Sequence, residues 1–342
     1  MRISTTYLDP NLFTEIELET VPADGIACLV WSPVHEDHLL VGSWDSSIRL
    51  YDAQANQQRA KFDHKAAVLG ACFSPKADQV FSGGLDTWLR MWDIQSGEFR
   101  VLGMHSRPIS SVLYSTETNT IVTGSWDSTV AIHDPRAQEA KVASYNQPER
   151  VYHMDAVGHT LVVAMGGRQI SVYDIRNMGK PTQERESSLR FMTRALACMP
   201  SGEGFALASI EGRVAVEYFD MSPAIQAKKY AFKCHRQTVD GMDHVWPVNA
   251  LAFHPVHHTL ASCGSDGIVA IWDHTTKKRL RQFPSYHSAV NAVAFNKTGS
   301  KLAIGVSYGW DKGQEGARQP ESSRVSIYVR EIGKEVVPKS KA

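Results

Sequence analysis

Cysteine is scarce in this 342-residue chain: Cys28, Cys72, Cys198, Cys234 and Cys263 are scattered, odd in number, and form no C-x-x-C pair. That spacing argues against a zinc site, a dithiol redox motif and a disulfide framework. Ala-Cys28-Leu-Val and Ala-Cys72-Phe set the thiol inside apolar runs, where cysteine behaves as a small core residue, as in a reducing compartment. No window approaches the roughly 18 consecutive apolar residues of a membrane helix. The opening MRISTTYLDP has no apolar stretch of a secretory signal. Charge of one sign is missing too, since 36 Lys and Arg balance 36 Asp and Glu. No overall field therefore pulls the chain toward nucleic acid or an anionic membrane, and a cytosolic or nuclear protein is expected.

Catalytic signatures are also lacking, with no Walker loop and no H-E-x-x-H helix. Met165-Gly-Gly-Arg168 reads as a hairpin turn in which glycine supplies positive φ. The doublet His257-His258 has no carboxylate or cysteine partner beside it, so neither a metal nor a cofactor is expected. What remains is a binding module and not an enzyme.

What is present is a repeat. Gly42-Ser-Trp-Asp45 leads to Ile48-Arg-Leu-Tyr-Asp52, Gly83-Gly-Leu-Asp86 to Leu89-Arg-Met-Trp-Asp93, and Gly124-Ser-Trp-Asp127 to Val130-Ala-Ile-His-Asp134. Gly166-Gly-Arg168 with Ile170-Ser-Val-Tyr-Asp174, Ile210-Glu-Gly-Arg213, and Gly264-Ser-Asp266 with Val269-Ala-Ile-Trp-Asp273 continue it. The first four closing aspartates recur at roughly 40-residue intervals, the WD40 period. Earlier strands such as Val248-Asn-Ala-Leu-Ala-Phe253 alternate at period two. Counting second strands near 40, 80, 121, 161, 206, 260 and 302 gives an all-β, seven-bladed WD40 β-propeller over 13–330. A lead over 1–12 and a basic flexible tail over 331–342 flank it. Phe13-Thr-Glu-Ile-Glu-Leu18 is expected to supply the outer strand of the last blade, closing the ring and removing a sheet edge. Met221 to Val245 reads as a long link between blades five and six, and Tyr308 to Ser323 as a mobile polar loop.

Blade two carries His64, Ser82, Asp86 and Trp92, a set in which a buried turn aspartate takes donors from histidine and hydroxyl. These are structural residues. Trp44 and Trp126 share one turn position in blades one and three, and two readings stand: packing, or an aromatic anchor on a binding face. Arg213 takes the place of the expected turn residue in blade five, while Lys233, His235 and Arg236 cluster before blade six. A solvated charge run competes here with a cationic pocket for carboxylate or phosphate.

Ser209-Ile-Glu-Gly-Arg-Val-Ala-Val-Glu-Tyr218, Ala231-Phe-Lys-Cys-His-Arg236 and Gly264-Ser-Asp-Gly267 resemble one branch of WD40 proteins. It holds the mitotic checkpoint propeller of the "budding uninhibited by benzimidazole" group and its relative, the mRNA-export propeller. Gly42 to Asp52, Ser82 to Asp86, Asp174-Ile-Arg-Asn-Met-Gly179 and Arg185-Glu-Ser-Ser-Leu189 favour the checkpoint member. The likeness spans roughly residues 20–330. It implies a spindle-checkpoint adaptor that binds a glutamate-containing segment of checkpoint kinases and phosphothreonine repeats of a kinetochore scaffold, in the nucleus and at kinetochores. Carried over by position, Arg213 and Lys233 become anion contacts with Arg236 beside them, and Trp44 and Trp126 the aromatic floor. The rivals are an export propeller, favoured by Ser307-Tyr-Gly-Trp-Asp-Lys-Gly313 and the basic tail, and a generic scaffold with ubiquitin-ligase components as partners.

Overall fold

Second strands here read as unbroken apolar runs because both of their faces are covered. Leu39, Leu40 and Val41 are all fully buried, as are Leu161, Val162 and Val163, which no sheet with one wet face would allow. In the computed structural model, which describes residues 14–338, each such strand lies inside a four-stranded antiparallel sheet, and there are seven of these sheets. Apolar side chains of adjacent sheets interdigitate. Leu29, Leu39 and Val41 of blade one meet Ala303, Ile327 and Val329 of blade seven. Leu40, Ile48 and Phe62 meet Phe73, Val80 and Trp92 on the other side.

The first strands are Ile26–Trp31, Val68–Phe73, Ile109–Ser115, Val151–Val157, Thr193–Cys198, Val248–Phe253 and Val290–Phe295. Each neighbours the first strands of the blades on either side, and the first meets the last, so they line the axis of a closed ring. Closure comes from Glu15–Glu17, which pairs antiparallel with Ser326–Glu331 and sets Ile16 opposite Val329. The expected closing strand is therefore found. The lead over 1–12, and Phe13, lie outside the described residues.

Three expectations need revision. Tyr308 to Ser323 is partly ordered, with a short helix Gly313–Ala317 and a 3-10 turn Pro320–Ser323, and the Tyr308 hydroxyl donates to the Gly313 carbonyl at 2.8 Å. The segment expected as a flexible tail is docked at its start: Val336 is 1% exposed, and its carbonyl accepts from the Thr259 hydroxyl at 2.9 Å. Val336, an apolar residue among the lysines, supplies the anchor. The Met221 to Val245 link is likewise structured. Tyr230–Lys233 is the outer strand of blade five, and a two-stranded hairpin, Arg236–Val239 and Met242–Val245, follows it.

Candidate functional site

The turn after each second strand lies on one face of the ring, together with the loop that enters each blade. The backbone repeats this arrangement: Trp44 N–H donates to the Gly25 carbonyl at 2.8 Å, Trp126 to Pro108 at 3.0 Å, and Ile210 to Met192 at 3.2 Å. Trp44 and Trp126 thus hold equivalent places. Trp44 is 47% exposed against the open side of Gly25, and Trp126 is half-buried.

In blade two the residue after that position is Asp86. Its neighbours His64 and Ser82 are 2.8 Å apart, and Trp92 donates its indole N–H to Ser82 at 2.8 Å. Arg90 adds a bond of 2.6 Å to Asp86, a partner the repeat pattern did not announce. Burial alone would raise the Asp86 pKa, yet the bonds from His64 and Arg90 win and bring it to about 2. Blade six repeats the set: His235 bonds Asp266 at 2.9 Å and Ser262 at 2.9 Å, and Trp272 donates to Ser262 at 2.9 Å. His235 consequently leaves the cationic cluster in which the sequence placed it. It turns inward through a left-handed backbone (φ 47°) to serve as the blade-six tetrad histidine.

Blade three keeps the geometry with other atoms. His105 bonds Asp127 at 3.0 Å and Thr123 at 2.8 Å, and His133 stands in the tryptophan's place, 3.1 Å from Thr123. His105 donating to Asp127 makes its other nitrogen an acceptor for the threonine hydroxyl. The threonine oxygen then accepts from His133 Nε2–H. His133 Nδ1 is left buried without a bond, and burial depresses the imidazole pKa to about 4.

Blade five departs from all of these. Its turn acid is Glu211, to which no histidine bonds among the described residues. Arg213 Nε donates to Glu211 at 2.9 Å, and among the described residues its terminal nitrogens bond nothing. Lys233 is exposed directly across the ladder from Arg213. Arg236 is held 3.2 Å from the Glu211 carbonyl and 3.7 Å from its carboxylate. Arg213 and Arg236 thus come together around one acid, with Lys233 beside Arg213 across the ladder. Trp44 and Trp126, on blades one and three, do not join them, and a ligand touching both groups must cross the mouth of the channel.

Sequence reasoning missed Arg194. Every first strand carries a β-bulge at one step, leaving Ala27, Leu69, Ser110, Tyr152, Arg194, Asn249 and Asn291 out of register. Bulged side chains are re-aimed. Ser110 and Asn249 reach the next blade's backbone at 2.7 and 3.0 Å, so these residues encircle the axis. Arg194 is the one cation in this ring. It is exposed within the channel, has no ion pair among the described residues, and its pKa is lowered by the surrounding protein. The signal was in the repeat: Thr193-Arg-Ala aligns with Val248-Asn-Ala and Val290-Asn-Ala. Blade five therefore presents cations on its first, third and fourth strands, a radial row from channel to rim, with strands spaced about 4.8 Å apart.

Sequence reasoning also passed over Gly305-Val-Ser307-Tyr-Gly309, which has the spacing of a hydrolase elbow. Ser307 is fully buried, however, and its hydroxyl is occupied by Ile26 N–H at 3.0 Å and Asn291 at 2.7 Å, and among the described residues no histidine bonds to it. It is an inter-blade tie.

Comparison with known proteins fits this architecture. The WD domain, G-beta repeat is matched at residues 17–52, 56–93, 98–134 and 230–273. The chain is 46% identical over 330 residues to Mitotic checkpoint protein BUB3.1 of Arabidopsis thaliana, covering 95% of each. It is 38% identical over 301 residues to Mitotic checkpoint protein bub3 of Dictyostelium discoideum, covering 87% of this chain and 90% of the relative. With the Poly(A)+ RNA export protein of Schizosaccharomyces pombe it shares 36% identity over 308 residues, 89% of this chain and 87% of the other. Among solved structures, U3-55K superposes with a TM-score of 0.78 over 93% of this chain and 98% of that one, at 17% identity. That last likeness shows the fold alone.

Proposed function

This chain belongs to the BUB3 family of mitotic checkpoint WD40 propellers, and from that premise we propose that its turn-bearing face binds a glutamate-containing segment of checkpoint kinases and phosphothreonine repeats of a kinetochore scaffold, recruiting the kinases to unattached kinetochores. The chain is a non-catalytic spindle-checkpoint WD40 adaptor.

One observation carries the finer reading, the radial row of cations on blade five. Among the described residues, Arg213 has free terminal nitrogens beside Lys233, and Arg194 forms no ion pair at the channel. A charge-assisted hydrogen bond contributes roughly 1.5–3 kcal/mol net, so two glutamates on such a row would dominate a short peptide's affinity. A phosphate carries about −1.5 to −2 charge at neutral pH and suits the same cations, which makes the site responsive to a kinase. Trp44, nearly half exposed, offers the flat apolar contact that peptide anchors use.

Titration calorimetry tests this with a paired-glutamate kinase peptide and with a phosphothreonine repeat against its unphosphorylated form. Tight binding of the first and phosphate-dependent binding of the second are expected, both lost in Arg213→Ala. The identity to the export protein supports a second reading, in which the equivalent segment comes from a nucleoporin. Binding of the glutamate peptide alone would favour that one. Unchanged affinities in Arg213→Ala would remove blade five from both.

A further inference from the structure

Between blades five and six the chain rises out of the ring as the hairpin Arg236–Val239 and Met242–Val245. Its turn residues Asp240 and Gly241 both have positive φ, 50° and 78°, the signature of a two-residue type I′ turn. That turn fixes which backbone groups face inward. Val239 opposite Met242 and Gln237 opposite His244 are hydrogen-bonded pairs, so the N–H and C=O of Arg236 and Thr238 point out of one edge and those of Asp243 and Val245 out of the other. The sheet has only these two strands, and among the described residues neither edge is covered by backbone of another element.

The two edges are alike, but the two faces differ. Arg236, Thr238, Asp243 and Val245 share the face that rests on the blade-five turn. Thr238 donates to Asp243 at 2.7 Å, Arg236 to the Glu211 carbonyl at 3.2 Å, and Val245 leaves no room for a side chain at Gly212. The opposite face carries Gln237 and His244 toward its root, His244 stacked on Trp246 at 6.1 Å, and at its tip Val239, 40% exposed, directly across from Met242, 68% exposed. Open edges, an apolar pair at the tip of the outer face and a root that carries Arg236 next to blade five's Arg213 and Lys233 occur in one short element.

We propose that this hairpin is a docking arm: an extended segment of the bound peptide adds to one of its open edges as a third strand, apolar side chains lying toward Val239 and Met242 and alternate acidic ones toward Arg236 and the blade-five cations. The inference rests on the peptide-binding reading above and assigns it a mode, strand addition, in which main-chain bonds give affinity and alternating side chains give selectivity. A two-stranded hairpin is marginal by itself, and a third strand would stiffen it.

Amide hydrogen exchange by NMR on the full chain, with and without the paired-glutamate peptide, decides the matter. Binding should slow exchange about tenfold or more at alternate amides of one edge, Arg236 and Thr238 or Asp243 and Val245. Peptide bound with neither pair slowed overturns strand addition while leaving the cation row intact. No binding at all sinks the peptide reading and this inference together. A second measurement leaves the protein unaltered: N-methylating successive amides of the peptide should cost roughly 3–10-fold in affinity at alternate positions, the worth of one net hydrogen bond. A uniform effect, or none, along the peptide would also overturn the proposal.

Discussion

Blades two and five place an acid at the same turn and treat it in opposite ways. Asp86 is 5% exposed and satisfied from inside its blade by His64 and Arg90, whereas Glu211 is 28% exposed and faces arginines at the surface. The cause is local. Where blade two has His64 on the preceding loop, the loop entering blade five has Ser187, whose hydroxyl accepts instead from Leu189 N–H at 3.2 Å. A turn acid neutralised within the blade becomes a strut. One left to surface cations builds a charged face that a ligand can use.

The contrast breaks most visibly on removing the strut. Asp86→Ala leaves Arg90, 2% exposed, as a buried cation without its counter-ion, and should cost about 3–5 kcal/mol. Urea melts of the variant beside Glu211→Ala would read it. Equal losses would mean that the blade-two acid is no more structural than the blade-five one.

Blade three sharpens the comparison through pH. His133 is fully buried with its pKa held near 4, below the ordinary value of 6.5. A base whose folded pKa is depressed takes its proton more readily unfolded, so its contribution is complete above about 6.5 and fades as pH falls toward 4. The difference amounts to about 3 kcal/mol. His133→Gln, which keeps the donor to Thr123 without the titration, should flatten the stability–pH curve over that window relative to the parent chain. Parallel curves would place the acid sensitivity in the other buried histidines.

The same blades show how far residues alone could lead. Period, blade count and ring closure were legible, because every second strand must be apolar on both faces and every turn needs its Gly or Asp. His64, Ser82, Asp86 and Trp92 were legible for the same reason. His105 with His133 was not, since a histidine in the tryptophan's place hides the pattern while preserving the N–H donor. His235 was misplaced because the charge run Lys233 to Arg236 looks uniform in sequence, and only the strand's end decides which side chain turns inward. Arg194 was missed because a bulge, absent from any periodicity, aims it into the channel. The docked Val336 depended on a contact with Thr259, 77 residues away.

A smaller effect separates blade three from blade two by shape. Gly103 stands where blade two's neighbour has Phe62, and a Cβ there would lie 2.7 Å from the His133 ring. Gly103→Ala should therefore cost about 1–3 kcal/mol by overpacking. A denaturant midpoint unchanged within error would show that the imidazole can swing away from the new methyl group.

The least costly change to the fold speaks most directly to the blade-five face. Glu211 is partly exposed and bonded to Arg213 at 2.9 Å, so Glu211→Gln should alter stability by less than about 1 kcal/mol. For an acidic peptide the carboxylate is a competitor, because it already holds the guanidinium that the ligand would claim. Its removal should tighten the paired-glutamate peptide by roughly 2–5-fold, the worth of an exposed ion pair, and steepen the fall of affinity with salt. Weaker binding would assign Glu211 the opposite task of fixing the Arg213 fork, with orientation mattering more than net charge. Calorimetry at two ionic strengths separates the cases, since a lost competitor changes the salt slope and a lost brace does not.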